Sequence, residues 1–126
     1  MIRGIGADIV SERHLESLRG RYDDPFFQKT FTEREREAAM LRKDPVMYFT
    51  ERFAAKEAVF KSMRISPDSM RLDEIETLND DKGCPCVNLC GKMKEMMDVA
   101  GGARVFVSIT SDNGFAAAFA VCEIDG

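Results

Sequence analysis

The sequence lacks several features that would assign a chain of its size to a protein class. No stretch of its 126 residues approaches the roughly 20 consecutive apolar residues of a membrane span, so no membrane association is expected. The first residues contain no apolar run of the signal-peptide kind, which predicts a cytoplasmic protein. No dense basic run with interleaved aromatic residues occurs, and nucleic acid is therefore not an expected partner. What remains is an ordinary soluble composition, 44% apolar and 32% charged, for a single domain over residues 1–126.

Histidine is also nearly absent, which bears on the four cysteines. Three of them lie close together as Cys84-Pro-Cys86-x3-Cys90, a cluster that invites a zinc site, while Cys122 is distant. Their spacing is not the repeated cysteine pair typical of zinc modules, and the only histidine, His14, is far away in sequence. We therefore interpret the cysteines as reduced thiols that serve as small apolar residues.

The charge of the chain is divided unevenly. The net charge is −4, but residues 1–64 contain 13 Lys/Arg and 11 Asp/Glu, whereas residues 65–126 contain 5 and 11. The first half is therefore mildly basic and the second strongly acidic. An acidic protein or a phosphorylated small molecule is the kind of partner that the first half favours.

An aspartate stands in a segment otherwise typical of a strand. Over residues 2–10 the alternation places Asp8 on one face together with Gly4, Gly6 and Val10. The two glycines permit close approach of a ligand or of another element, and aspartate is unfavourable within strands. This combination favours a functional site, although Asp8 as the N-cap of a following helix is an alternative.

A second carboxylate stands at the edge of an apolar helix face. At about 100° per residue, three phenylalanines fall within roughly 40° of one another: Phe49, Phe53 and Phe60. Glu57 lies about 40° from Phe53, on the edge of this stripe, where an unpaired charge would be costly. Either Lys61, one turn later, or a metal ion is expected to neutralise it.

The remaining pattern predicts an α+β fold, an antiparallel sheet with helices packed on one side. Helices are predicted over residues 11–20, from Thr32 (with Glu35 in a capping box) to about Arg42, from Asp44-Pro45 to about Met63, and over 92–99. Further strands are predicted over 72–78, 86–89, 105–110 and 115–124, the last two joined by a turn at Asp112-Asn113-Gly114.

Two motifs contain the carboxylates discussed above: Gly4-Ile-Gly-Ala-Asp8-Ile-Val and Arg52-Phe-Ala-Ala-Lys56-Glu57-Ala-x-x-Lys61. In this order and at this separation they resemble the holo-acyl-carrier-protein synthase family, the small 4′-phosphopantetheinyl transferases. The resemblance covers essentially the whole chain. It includes Phe26 through Thr32-x-x-Glu35, Gly83-Cys84-Pro85 where the family usually has Gly-Lys-Pro, and the final hairpin Val107-Ser-Ile-Thr110…Ala116-Ala-Ala118.

The resemblance implies transfer of 4′-phosphopantetheine from coenzyme A to a serine of an apo acyl carrier protein. In that family the residues that match Asp8 and Glu57 bind Mg²⁺ together with the coenzyme A diphosphate, a donor set that suits this ion. Lys61 would lie beside the phosphoryl group or the leaving phosphate, and Glu57, directly or through a water, would take the serine proton.

Further contacts follow from the same resemblance. Arg52 and Lys56 are expected either to contact other coenzyme A phosphates or to brace the helix, and three more positions are expected to help hold coenzyme A: Arg64, Ser108 and Thr110. Arg64 as a helix C-terminal charge is equally sensible. Four residues of the first helix are expected to dock an acidic carrier protein, with a solvated charged face as the alternative for each: Arg13, His14, Arg19 and Arg21.

Two family patterns are missing. Met63-Arg-Ile-Ser66 stands where the family usually has a Gly-Thr-Gly loop, and Phe106-Val-Ser-Ile-Thr-Ser111 stands where it usually has His-Val-Ser-Ile-Ser-His. These losses predict a divergent transferase with an altered coenzyme A pocket. A relative that binds a carrier protein or nucleotide without transfer is the main alternative, and a structural domain with an internal Glu57–Lys61 pair is another.

The family's compact members form homotrimers with active sites at the subunit interfaces. A chain of 126 residues has the length of one such lobe, so self-association as a homotrimer is expected. Asp8 and Glu57 would then come from one subunit and part of the coenzyme A pocket from its neighbour. Fatty acid biosynthesis, within lipid metabolism, is the expected setting.

Overall fold

One long helix lies across a three-stranded antiparallel sheet, and the smaller elements pack around this pair. The computed structural model describes residues 1–125. The helices are α1 (Arg13–Glu16), α2 (Pro25–Thr30), α3 (Glu33–Met40), α4 (Pro45–Met63) and α5 (Gly91–Val99); the strands are β1 (Ile2–Ser11), β2 (Ile75–Asn79), β3 (Pro85–Leu89), β4 (Ala103–Asp112) and β5 (Phe115–Ile124). The predicted α+β class is confirmed. None of the helices in this range is long and apolar enough to cross a bilayer.

The main sheet has the strand order β1-β5-β4, and β2 and β3 form a separate two-stranded sheet. Asp8 is opposite Ala118 on β5, and Ala118 is opposite Ile109 on β4. This row points to the helix side of the sheet, since Ala118 is buried. The neighbouring row, in which Phe119 joins Ala7 to Ser108, points to the opposite side.

The two glycines of β1 are explained by the close passage of α4. A Cβ on Gly6 would overlap the backbone carbonyl oxygen of Ala58, and a Cβ on Gly4 would lie 2.5 Å from the carbonyl oxygen of Ser62. Of the two reasons considered for these glycines, approach of another element is therefore the one that the fold uses. Because the strand and the helix lie so close together, Asp8 is brought up to the α4 surface that carries Glu57.

Helix α4 begins and ends with recognisable capping residues. The Asp44 side chain accepts from the backbone N–H of Met47 at 3.3 Å, Pro45 occupies the first turn, and Arg64 follows the helix in the left-handed region at φ 55°. Both predicted ends of the helix are confirmed within a residue.

A buried ion pair joins α3 to α4. The capping box of Thr32 and Glu35 forms as predicted, but Glu35 also contacts Lys56, with Nζ–Oε1 2.6 Å and both side chains fully buried. The Lys56 ammonium group donates further to the carbonyl oxygens of Leu72 (2.9 Å) and Ile75 (2.6 Å). Its three protons therefore have three acceptors, which favours the charged form although burial lowers the pKa of Lys56 against the opposing effect of Glu35.

Three sequence-based expectations need correction. The helix predicted over 11–20 forms only as the short α1, and the chain then continues through tight turns to Gly20 at φ 80°. Short helices are unstable without packing against the rest of the protein, because forming the first turn is costly. The strand predicted over 72–78 begins at Ile75, since residues 72–74 form a 3₁₀ turn whose first carbonyl contacts Lys56. Of the four unpaired cysteines only Cys122 is buried, so the apolar role holds for that thiol alone.

Candidate active site

Asp8 of β1 and Glu57 of α4 line the same cavity, which has a volume of about 470 Å³. Lys61 lies one helical turn beyond Glu57, and its ammonium group donates to the Asp8 carboxylate (3.2 Å) and to the Ala7 carbonyl oxygen (3.0 Å). The ion pair that forms is thus Lys61–Asp8 across two elements, and the internal Glu57–Lys61 pair considered above is not the arrangement seen. The Asp8 side chain is 18% exposed and that of Lys61 51% exposed, so both are within reach of a ligand.

The electrostatics of this group favour a bound cation. Burial raises the pKa of Glu57, the nearby Asp8 carboxylate raises it further, and Lys61 only partly offsets them. Because its pKa is raised, Glu57 holds a proton more readily in the folded state than in the unfolded state. The free energy of unfolding therefore falls as the pH rises from the ordinary pKa of glutamate through the raised pKa of Glu57. A cation between the two carboxylates would reverse this cost, because it favours the charged form of both.

The number of donors indicates which kind of cation fits. In the part of the chain that the structure describes, no group of three or more His, Cys, Asp or Glu side chains is placed to hold a metal ion. Two carboxylates match Mg²⁺, which keeps several waters and is commonly shared with substrate phosphates. The residues present therefore fit the predicted ion, provided that the substrate supplies the remaining oxygens.

Arg52 and Lys56 lie on a different side of α4 from Glu57 and Lys61. Lys56 is fully buried in the ion pair with Glu35, an arrangement that matches the bracing role rather than the phosphate contact. Arg52 is also buried and donates to the Thr77 carbonyl oxygen (3.2 Å) and the Asn79 side chain (3.3 Å). Its Nε has no hydrogen-bond partner among residues 1–125, and its guanidinium group lies 4.7 Å from the centre of the Tyr48 ring.

The other expected coenzyme A contacts are dispersed over the fold. Arg64 is exposed beyond the end of α4 with its side chain against Gly4, further along β1 from Asp8. Ser108 and Thr110 are exposed on the outward side of the sheet, whereas Asp8 and Glu57 lie on the helix side. Within a single copy of the chain, the hydroxyl groups of Ser108 and Thr110 therefore do not lie near the carboxylates of Asp8 and Glu57.

One of the four expected docking residues lies at the cavity of Asp8 and Glu57. His14 lines that cavity, and Arg13 and Arg21 are exposed. Arg19 is held in place by chain carboxylates, since it pairs with Glu16 at 2.7 Å and with Asp44 at 3.3 Å.

Known proteins share the sequence and the fold of this chain. The family model of the 4′-phosphopantetheinyl transferase superfamily matches residues 4–120. The chain belongs to this family. A holo-[acyl-carrier-protein] synthase of Clostridium botulinum (strain Eklund 17B) is 38% identical over 125 residues, which cover 98% of this chain and 99% of that protein. The crystal structure of holo-[acyl-carrier-protein] synthase from Neisseria meningitidis has a TM-score of 0.85 and 30% identity, covering 98% of this chain and 99% of that one. The ACPS–CoA complex of Chronobacterium ammoniagenes has a TM-score of 0.83 and 26% identity, with 98% of both chains covered.

Within the phosphopantetheinyl transferase fold, two residues escaped the analysis of the sequence. Glu35 was expected only as a helix cap. Apart from the high density of charged residues in α3 and α4, nothing in the sequence around Glu35 or Lys56 indicates that the two side chains are buried together. Arg3 donates from Nε to the Met63 carbonyl oxygen at 2.6 Å and so caps the C-terminus of α4. Phe106, at the position of a usual family histidine, lines a separate cleft of about 630 Å³ between β3, α5 and β4.

Proposed function

We propose that this chain transfers the 4′-phosphopantetheine group of coenzyme A to a serine of an apo acyl carrier protein, with Asp8 and Glu57 as the ligands of Mg²⁺. The observation that carries the proposal is the meeting of these two carboxylates in one cavity, with Lys61 beside Asp8. The names of the relatives, and the complex of one of them with coenzyme A, support the substrates.

The reaction joins the serine oxygen to the phosphorus that bears pantetheine and breaks the bond to the second phosphate of the diphosphate, so that 3′,5′-ADP leaves. When bound, Mg²⁺ supplies charge neutralisation to the diphosphate oxygens. Glu57 takes the serine proton, directly or through a water. Lys61 uses two of its three protons on Ala7 and Asp8 and has one left for the leaving phosphate.

The remainder of the coenzyme A site is proposed to come from a second copy of the chain. Ser108 and Thr110 share the outward side of the sheet with several large exposed apolar residues, among them Ile5 (74% exposed), Ile9 (68%), Phe106 (54%), Phe115 (47%) and Phe119 (58%). An apolar face of this kind on a folded domain marks an interaction surface. We propose that three copies pack through it, so that Ser108 and Thr110 of one copy approach the coenzyme A held by Asp8, Glu57 and Arg64 of the next. We also propose that the enzyme works in the cytoplasm, in fatty acid biosynthesis.

Transfer and its metal dependence are tested together. Incubation of an apo acyl carrier protein with coenzyme A, Mg²⁺ and the wild-type chain is expected to add the mass of phosphopantetheine, measured by mass spectrometry. Asp8→Asn and Glu57→Gln remove one charged ligand each and are expected to lower the rate by at least about 100-fold. Mg²⁺ with coenzyme A is expected to raise the melting temperature of the wild type but not of either variant.

The alternatives make different predictions for the same samples. Coenzyme A binding measured by calorimetry, without any mass gain, would identify a non-catalytic binding protein. Unchanged metal dependence in Asp8→Asn would show that the metal ligands are misassigned.

The proposal that three copies pack through the outward sheet face predicts that a variant of this face has a lower mass in solution than the wild type. Phe119→Asp places a charge at the centre of the outward sheet face and is expected to reduce the mass measured by light scattering to about a third of the wild-type value. Transfer should fall with it, because Ser108 and Thr110 no longer meet a neighbouring site. Val99→Asp is the matched control, since Val99 is 90% exposed on α5 and lies away from that face. A wild type that is monomeric at assay concentration contradicts the proposal.

A further inference from the structure

The cleft of about 630 Å³ between β3, α5 and β4 has a lining that suits a nucleobase. Its volume is within the range of small-molecule sites, about 300–1,000 Å³. Each of the three elements contributes an apolar side chain to it, among them Val87, Met97 and Phe106. Within residues 1–125, β3 and β4 are edge strands of two separate sheets, so the backbone groups on their unpaired edges remain available to hydrogen-bond with a ligand.

The cleft adjoins the outward face of the main sheet. Phe106 lies on that face two residues before Ser108, and its side chain is 54% exposed. In the proposed packing of three copies, Ser108 of one copy approaches the coenzyme A of the next, and Phe106 with its cleft follows along the same strand. The carrier serine has to reach Glu57, which places the carrier protein over the half of coenzyme A that is transferred. The nucleotide half is then the part directed to the neighbour's cleft.

The positive charges at this cleft are already neutralised within the chain. Its lining contains two cations and two carboxylates: Lys94, Arg104, Asp98 and Asp125. Lys94 pairs with Asp98 at 2.7 Å. Arg104 pairs with Glu123 on the neighbouring strand β5. In the part of the chain that the structure describes, no lysine or arginine of the lining therefore lacks a carboxylate partner, and a phosphate group would meet no unbalanced positive charge there.

Two positions at the cleft are uncharged where the family usually has a basic side chain. Phe106 replaces a histidine, and Cys84, which precedes the lining residue Pro85, replaces the lysine of Gly-Lys-Pro. The Cys84 side chain is exposed. A phenyl ring binds a base by stacking, but neither a phenyl ring nor a thiol neutralises a phosphate as a basic side chain does. The cleft is therefore suited to the base and not to a phosphate.

We propose that the enzyme binds the adenosine of coenzyme A without a charged contact to its 3′-phosphate, so that dephospho-coenzyme A is a substrate of nearly equal efficiency. Lys61 and Arg64, the cations proposed to contact coenzyme A, belong to the copy that holds the diphosphate. Transfer from dephospho-coenzyme A joins the serine oxygen to the same phosphorus and breaks the same bond of the diphosphate. The leaving group is then 5′-AMP in place of 3′,5′-ADP, and the serine proton again goes to Glu57. This inference rests on the proposed transfer reaction and on the proposed packing of three copies.

The test compares the two substrates with the wild-type chain, Mg²⁺ and an apo acyl carrier protein. kcat/KM is measured for coenzyme A and for dephospho-coenzyme A, and the mass of phosphopantetheine gained by the carrier protein is followed by mass spectrometry. The two values are expected to agree within about fivefold, because exposed cations that are already paired add little to the binding of a phosphate. A larger preference for coenzyme A overturns the proposal. Absence of any mass gain with both substrates contradicts the transfer reaction instead.

Glu123→Gln is the variant expected to create a preference for the 3′-phosphate. It removes the carboxylate partner of Arg104 and leaves the guanidinium group available to a phosphate, so the ratio of kcat/KM for coenzyme A to that for dephospho-coenzyme A should rise about fivefold. Glu95→Gln is the matched control, since it removes the same charge from an exposed residue of α5 that is not part of the lining, and it should leave the ratio unchanged. An unchanged ratio in Glu123→Gln overturns the proposal.

Phe106→Ala separates binding of the base from binding of the phosphate. Loss of the ring should raise KM for both substrates about tenfold and leave the ratio of their kcat/KM values unchanged. Light scattering on the same sample shows whether the variant keeps the wild-type mass. Normal KM values in a Phe106→Ala variant of wild-type mass overturn the placement of adenosine in the cleft. If this variant does not assemble, the wild-type comparison and Glu123→Gln still decide the proposal.

Discussion

Replacing Lys56 by methionine is expected to lower the free energy of unfolding by about 3–5 kcal/mol, measured by urea denaturation. The substitution leaves the Glu35 carboxylate without its cation in a site with no solvent exposure. It also removes the hydrogen bonds to the carbonyl oxygens of Leu72 and Ile75, which connect α4 to the start of β2. An unpaired buried charge and two buried acceptors without a donor act in the same direction.

The same substitution one turn further along α4 is the control. Lys61→Met removes an ion pair to Asp8 whose lysine is 51% exposed, and it should change stability by no more than about 1 kcal/mol although it abolishes transfer. The neutral pair Glu35→Gln/Lys56→Met should be more stable than Lys56→Met alone, since no charge is then left unpaired. Equal stability of the Lys56→Met and Lys61→Met variants would contradict the bracing role.

The contrast between these two lysines shows where reasoning from the sequence was sufficient. The period of α4 and its capping residues predicted a helix that carries Glu57 and Lys61 on one side. The alternation of β1 placed Asp8 on the inner side, where it meets them. These are local properties, and local periodicity determines which side chains share a face.

What could not be predicted depends on pairings between distant segments. Lys56 is adjacent to Glu57 in sequence, but its environment is made by Glu35, Leu72 and Ile75, which lie 21, 16 and 19 residues away. Ser108 and Thr110 were expected to help hold coenzyme A in a pocket shared between neighbouring copies, and the register with β5 places them on the opposite side of the sheet from Asp8. The alternation within β4 separates the two faces of that strand, but only its pairing with β5, and the pairing of β5 with β1, shows which of these faces Asp8 shares.

Helix α4 thus serves two purposes on two sides. Towards β1 it carries Glu57 and Lys61, which are open to a ligand, and towards β2 it carries Arg52 and Lys56, which are buried among polar groups. The buried side fixes the rotation of the helix about its axis. This rotation in turn determines whether Glu57 points to Asp8, so the site depends on contacts that no ligand touches.

The closeness of α4 to β1 leads to the second large effect. Gly6→Ala is expected to destabilise the chain by at least about 3 kcal/mol, because the added Cβ would overlap the Ala58 carbonyl oxygen and also lie 2.9 Å from the Ser62 backbone nitrogen. Both are backbone atoms of α4, so no rotamer change relieves the overlap and the helix has to move away from the strand. Chemical denaturation of the purified variant measures the loss.

The site should respond even in molecules that remain folded. Movement of α4 away from β1 increases the separation of Glu57 from Asp8 and of Lys61 from its acceptors on Ala7 and Asp8, so Mg²⁺ with coenzyme A should no longer raise the melting temperature of Gly6→Ala. Ala7→Ser is the control, since it adds one atom to the adjacent residue on the outward side and should keep both stability and the Mg²⁺ effect. If Gly6→Ala were as stable as wild type and kept the Mg²⁺ effect, the strand and the helix would not be held as closely as the structure shows. The glycine would then have to be explained by a ligand at that position.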